Sequence, residues 1–319
     1  MSSLLKRKPL AHLPTPIEPL PRLSQVLGGP DIWVKRDDQT GLAFGGNKTR
    51  KLEFLLAEAE DAGARTLITR GARQSNHCRQ TAAAAARAGF DCALVLGGDP
   101  PSSRQANLLL DFLLGAEIIF ARDRDPEQVL METVGRLREE NREPYLIPYG
   151  GSNPIGASAY ASAVKEMVDQ GFEPDRIVFA TSSGGTQAGL LAGAKMAGLS
   201  TAVYGISVDK VNVDLQPVVS MLTNQVLALH ASEIMVEDEA VIIDDGYIGE
   251  GYAVMGEPER EAIHLFARYE GLMLDPVYTG RAAAGLIDLI REGHINEDEQ
   301  ILFWHTGGTP ALFAYAEEL

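Results

Sequence analysis

Lys48 stands in the run Gly45-Gly46-Asn47-Lys48-Thr49-Arg50-Lys51-Leu52-Glu53, where a glycine turn feeds straight into a helical pattern. Leu52, Leu55, Leu56 and Ala59 recur at helical spacing and give that helix one apolar face. Its first turn carries three cations, Lys48, Arg50 and Lys51, at the end where the helix dipole is positive and repels them. An amine held there, beside glycines that let a ligand approach closely, is placed for chemistry. A positioned amine forms a Schiff base with a carbonyl, free or carried by pyridoxal phosphate. The same motif also suits a solvated lysine in a basic helix start, so other segments must decide.

Three strand-to-helix turns supply the rest. Ser75-Asn76-His77 follows the strand-like residues 66–69 and precedes an alanine-rich helix over about residues 80–88. Thr181-Ser182-Ser183-Gly184-Gly185-Thr186 lies between a strand at 176–180 and a helix from Gln187. Free N–H groups and the helix dipole make such a glycine- and hydroxyl-rich turn a phosphate cradle. His305-Thr306-Gly307-Gly308-Thr309 follows the strand 301–304. Three ligand turns of the kind α/β proteins use, with one lysine, fit a carbonyl cofactor that bears a phosphate.

With those segments in view, the chain resembles the pyridoxal-phosphate enzymes of fold type II, whose architecture is tryptophan synthase β-like. It is similar in particular to the group of 1-aminocyclopropane-1-carboxylate deaminase and D-cysteine desulfhydrase. The matching segments are LPTPIEPLPRLS (13–24), KRDD (35–38), GGNKTRKLEFL (45–55), QSNH and RQTAA (74–83), GGSN (150–153), SSGGTQAG (182–189), EGLMLDPVYTG (270–280) and HTGGTPALFAY (305–315). They span the chain in the family's order.

The resemblance assigns roles. Lys48 would carry pyridoxal 5′-phosphate and, once freed by substrate, move the Cα proton. Asn76 would bond the cofactor's 3′-oxygen, and it equally suits a helix N-cap. Ser75 would meet the substrate carboxylate or transfer a proton, or serve as a cap. His77 would offer its backbone N–H to the carboxylate. Ser183, Gly184, Gly185 and Thr186 would hold the phosphate. Lys51, one turn beyond Lys48, either reaches that phosphate or stays in solvent. Tyr278 is carried over as an active-site phenol, with Tyr252 as a second; either could equally pack in the core.

Two positions bear on the substrate. Where the deaminases of the family carry glutamate and leucine, this chain has Thr279 and Thr306. A hydroxyl near the pyridine nitrogen supplies a weaker, neutral hydrogen bond than a carboxylate. The pair matches the D-cysteine desulfhydrase pattern. It implies a carbon–sulfur lyase that releases pyruvate, ammonia and hydrogen sulfide from D-cysteine or another β-substituted amino acid. The alternatives are an L-cysteate sulfo-lyase, a deaminase of aminocyclopropane carboxylate, and a pyridoxal-phosphate protein without turnover. Arg73, Tyr149 and Arg281 depart from the family's usual residues. An extra cation near the site would favour a doubly anionic substrate, while an exposed turn would give Arg73 no such role.

Composition agrees. The 319 residues suit one catalytic unit of two lobes, and a 45% hydrophobic content fills a large core. A net charge of −16 repels nucleic acid phosphates and anionic membranes. Inside so acidic a chain, the cations of residues 48–51 stand out as a holder for a small anion. The two cysteines, Cys78 and Cys92, form no CxxC, and no His/Cys cluster has metal-ligand spacing. That points to a reducing cytoplasm and no metal. Neither a leader nor a run of about 18 apolar residues is visible.

Strand-like and helical stretches alternate along the chain, which predicts an α/β fold with two open, twisted, mostly parallel sheets and right-handed crossovers. The resemblance implies a large cofactor-binding lobe (1–51 and 159–319), an inserted small lobe (52–158), a cleft between them and a homodimer.

Overall fold

The computed structural model describes residues 5–209 and 214–319; the first four residues, part of the stretch read as leaderless, lie outside it. Strands and helices alternate as expected. The strands are β1 (Ile17–Pro19), β2 (Asp31–Lys35), β3 (Thr66–Gly71), β4 (Asp91–Leu96), β5 (Glu117–Phe120), β6 (Pro144–Leu146), β7 (Arg176–Thr181), β8 (Ala202–Ser207), β9 (Ile242–Asp244) and β10 (Gln300–Trp304). They form two sheets. One has six strands in the order β1-β2-β10-β7-β8-β9, and the other has four in the order β5-β4-β3-β6. All described pairings are parallel except β1 with β2.

The strands of the larger sheet are apolar on both faces because helices cover both. In β10, Ile301 and Phe303 enter one core with Phe266, Leu286 and Ile287. Leu302 and Trp304 enter the other with Tyr160, Leu190 and Val226. This is the period-2 alternation of a strand with cores on both sides. The second core is tight. A Cβ on Gly189 would stand 2.1 Å from Ala157 O and 2.5 Å from Tyr160 Cβ, so glycine lets the helices Pro154–Asp169 and Gly185–Ala197 touch.

The boundaries that differ from the sequence reading matter for the site. The alanine-rich helix runs Asn76–Ala88 and so begins at the Ser-Asn-His turn itself, not near Gln80. The helix expected from Gln187 begins two residues earlier, at Gly185. The turns after β3, β7 and β10 lie at the carboxyl ends of parallel strands, where open α/β sheets bind ligands. The four-stranded sheet draws all its strands from residues 66–146.

Candidate active site

Lys48 is the second residue of the helix Asn47–Asp61, whose cap is Gly46 at φ 126°. That cap must be glycine. A Cβ there would meet Gln80 Nε2 at 2.3 Å and Thr306 O at 3.1 Å. The next N–H, on Asn47, donates to Thr306 O (2.9 Å), which ties the lysine turn to the turn after β10.

Lys48, Ser75, Asn76, His77, Thr186 and Tyr278 line one cleft with about 610 Å³ of unfilled space, open on one side; Ser183, Gly184 and Thr306 complete its walls. Among the described residues no carboxylate lines it. Burial pulls the Lys48 amine down to about 8. Lys51 is pulled well below the usual lysine range, by burial and then by Lys48. Two amines one helical turn apart, with no carboxylate on the cleft wall, hold their protons more firmly when an anion arrives, and so make a place for one.

The wall opposite is the start of the helix Gly185–Ala197. Gly184 precedes it in the left-handed region (φ 77°) and no side chain of its own segment caps it. Instead Ser152 Oγ accepts from Gly185 N–H (3.2 Å) and shares a hydrogen bond with Ser183 Oγ (2.8 Å). A Cβ on Gly185 would lie 2.4 Å from that Ser152 oxygen. Lys51 Nζ donates to Gly150 O (3.1 Å) and Ser152 Oγ (3.4 Å), on the same rim. Asn47 Nδ2 donates to Thr186 Oγ1 (3.1 Å), which leaves the threonine's own proton free.

The third wall is the start of the Asn76 helix. Ser75 is its cap, with Oγ accepting from Cys78 N–H (3.2 Å), so Asn76 is the first helical residue and not the cap. The N–H groups of Asn76 and His77 have no carbonyl one turn back to bond and suit a carboxylate. Thr69 Oγ1 donates to Ile147 O (2.9 Å), so His77 Nε2–H must donate to Thr69 Oγ1 (2.9 Å). His77 Nδ1 is then a bare acceptor, buried without a partner. Burial, then Lys48 and Lys51, keep this ring neutral.

Tyr278 and Tyr252 share a hydrogen bond between their hydroxyls (2.7 Å). Burial pushes both phenols above their ordinary range, so both keep their protons. Tyr252 itself stands behind Tyr278, outside the cleft lining. Asp275 fixes Tyr278 by accepting from the N–H groups of Val277 (3.2 Å), Tyr278 (3.1 Å) and Thr279 (2.9 Å).

Other residues stand differently from their sequence reading. Thr306 lines the cleft but Thr279 does not. The Thr279 hydroxyl donates to Asp275 Oδ1 (2.9 Å) and accepts from Asp275 N–H (2.8 Å). Arg50 turns away from the anion site into Asp37 and Glu166, so only two of the three clustered cations face it. Arg73 is exposed and outside the cleft lining, which removes it as a second cation for substrate. Arg281 is fully buried, pairs with Glu259 (2.7 Å) and donates to Val208 O, Gly251 O and Val254 O; it therefore braces the loop that carries Tyr252. The sequence reading gave no role to Asn47, Ser152, Arg79 or Asn107. Asn47, Arg79 and Ser152 lie inside the matching segments, while Asn107 lies outside all of them.

Three comparisons bear on this site. The family described as pyridoxal-phosphate dependent enzyme matches residues 9–307. A D-cysteine desulfhydrase of Klebsiella pneumoniae (strain 342) is 43% identical over 323 residues, covering 98% of this chain and 97% of that protein. One from Salmonella typhi is 42% identical, covering 97% and 96%. The crystal structure of an ACC deaminase homologue superposes with a TM-score of 0.91 at 37% identity, over 98% of this chain and 95% of that one. A threonine deaminase of Solanum lycopersicum, at 16% identity and a TM-score of 0.68 over 95% and 81% of the two chains, shares the fold.

Proposed function

The chain belongs to the pyridoxal-phosphate-dependent enzymes, and from that premise we propose that it is a carbon–sulfur lyase acting on D-cysteine. It converts that substrate, or a related β-substituted amino acid, into pyruvate, ammonia and hydrogen sulfide. The observation that carries the cofactor site is the Lys48 amine on the wall of a cleft that no carboxylate lines among the described residues, with the start of the Gly185–Ala197 helix on the same cleft and Lys51 buried one turn away at its rim. The substrate comes from the relatives named D-cysteine desulfhydrase, which match nearly the whole chain.

The residues present fit the cofactor. Lys51, Ser183, Thr186 and the N–H groups that open the Gly185–Ala197 helix suit a phosphate. Asn76 suits an anionic oxygen on the ring, and Lys48 supplies the amine. When bound, pyridoxal phosphate supplies an electron sink for charge left at the substrate α-carbon. The chain's own groups do the rest. The N–H groups of Asn76 and His77, with Ser75 Oγ, hold the substrate carboxylate. Lys48 Nζ, once free, takes the Cα proton. Tyr278, kept protonated and bonded to Tyr252, delivers a proton to the departing sulfur. Thr306 lines the cleft and Thr279 sits just behind it on Asp275, both neutral where the deaminases have glutamate and leucine. Among the described residues no helix is long and apolar enough to cross a membrane. Exposed Leu109, Phe112 and Leu113 on one short helix suit a homodimer, and the free thiols of Cys78 and Cys92 suit a reducing cytoplasm, where we place the enzyme.

A 2-oxo acid assay over D-cysteine, L-cysteine, β-chloro-D-alanine, L-cysteate and aminocyclopropane carboxylate tests this reading, with pyruvate scored for the first four and the four-carbon 2-oxobutanoate for the last. D-cysteine or β-chloro-D-alanine should give the highest kcat/KM. Preference for aminocyclopropane carboxylate or L-cysteate overturns it, as does no turnover of any. The exposed position of Arg73 argues against the doubly anionic L-cysteate.

Lys48 also sets a pH dependence. With the amine drawn down to about 8, only its neutral form attacks a carbonyl. Cofactor uptake by the stripped chain should therefore speed up with pH and level off above about 8. An ordinary lysine would level off only above roughly 10.4. Stopped-flow absorbance across the pH range reads this directly, and a midpoint near that of free lysine contradicts the buried amine.

A further inference from the structure

Asn76 is held from behind by two residues of fixed polarity. Asn107 Nδ2 donates to Gln74 O (2.7 Å), which can only accept. Asn107 Oδ1 accepts from Arg79 Nη1 (2.9 Å), which can only donate. Those two bonds fix which way the Asn107 amide points. Its second Nδ2 proton therefore reaches Asn76 Oδ1 (2.9 Å), and Arg79 Nη1 lies 3.4 Å from the same oxygen. With its oxygen claimed twice, the Asn76 amide must turn Nδ2 the other way. A Cβ on Gly308 would come within 2.8 Å of that nitrogen, so glycine keeps the space beside it open.

Arg79 is fully buried and forms no salt bridge among the described residues: Nη1 and Nη2 donate to neutral oxygens, Nε has no described partner, and the carboxyl groups of Asp111 and Asp275 are near enough to act on it without a hydrogen bond. One of those neutral oxygens is Gly45 O (2.9 Å), in the turn that leads to Lys48. A single guanidinium thus joins the Asn76 helix to the lysine turn. A cation behind a hydrogen-bonded amide polarises it, so the amide becomes a better donor to a negative oxygen.

We propose that Arg79 and Asn107 are positioning residues that lock Asn76 with Nδ2 toward the cleft, and that the Arg79 cation, acting through that amide, favours the ionised form of the cofactor oxygen it meets. The inference rests on the cofactor reading above. Removing the device raises the proton affinity of the bound cofactor, so the pH midpoint of its visible band moves upward.

The test uses the full chain loaded with pyridoxal phosphate, as Asn76→Ala, Arg79→Met and Asn107→Asp. The last keeps Arg79 partnered but replaces the donor facing Asn76 by an acceptor, which turns the Asn76 amide round. Each variant should raise the band's pH midpoint by about 1 unit, the scale of one hydrogen bond or nearby charge. Each should also weaken cofactor binding about tenfold by spectral titration. The decisive arm places Arg79→Met and Asn107→Asp in the Asn76→Ala background, where each further shift should fall by more than half. Unchanged midpoints in the single variants, or full additivity in the doubles, overturn the proposal. If Arg79→Met fails to fold by circular dichroism, the Asn107→Asp pair decides alone. Failure of the wild type to take up pyridoxal phosphate on Lys48 would instead strike the cofactor reading.

Discussion

Lys48→Ala should reduce pyruvate release from D-cysteine by roughly 10³–10⁴-fold or more, because it removes both the amine that holds the cofactor and the base for the Cα proton. The fold should survive. Lys48 is on the cleft wall, with no described hydrogen bond or ion pair, so its loss leaves no buried partner unpaired. Borohydride reduction of the wild type should fix the cofactor to Lys48. The rival amines differ in setting. Lys51 is tied to Gly150 O, and Lys35 is fully buried against Glu166 (2.7 Å) and Gln170 (2.6 Å). A peptide map with the label on Lys51 or Lys35, or an alanine variant that retains turnover, would refute the assignment.

Arg50→Leu should have the largest effect on stability. Arg50 is almost fully buried and donates to both oxygens of Asp37 (2.8 and 2.9 Å) and both of Glu166 (2.9 Å each). Asp37 also accepts from Thr15, Tyr160 and Trp304. Burial pushes the Asp37 carboxyl up, and Arg50 with the phenol and indole donors outweighs it and leaves it below the usual carboxylate range. Removing the guanidinium strands a charge at 0% exposure. Breaking a buried pair this way costs about 3–5 kcal/mol. Urea denaturation of the wild type and the variant measures it. Arg50→Lys should recover only part, since a point charge cannot fork across two carboxylates. A loss under about 1 kcal/mol would mean that the cluster contributes little to stability.

These two residues lie two positions apart, and they mark what the sequence could reveal. Lys48 was legible because its evidence is local: glycines before it, an apolar helical face after it, and motifs in family order. Arg50 was grouped with it as one more cation for an anion. Its partners, Asp37 and Glu166, lie 13 and 116 residues away, and spacing along the chain carries no trace of such contacts. The parallel strands were readable because both faces are buried, which makes them continuous apolar runs. The edge strands β1 and β9 were not, although β9 is parallel too: each has three residues, none of them fully buried, so neither shows an apolar run. The Asn76 helix was placed to start about four residues late because Ser75, a polar cap, hides a helix start inside what reads as a loop. Thr279 was read beside the cofactor, and only the fold shows its hydroxyl already engaged by Asp275.

Ser152 Oγ meets Gly185 N–H, Ser183 Oγ and Lys51 Nζ, which lie 33, 31 and 101 residues away along the chain. One small hydroxyl is thus a junction at which three distant stretches of chain converge. The shape of the helix start is set by its neighbours in space, and the segment that forms it could not hold that shape alone.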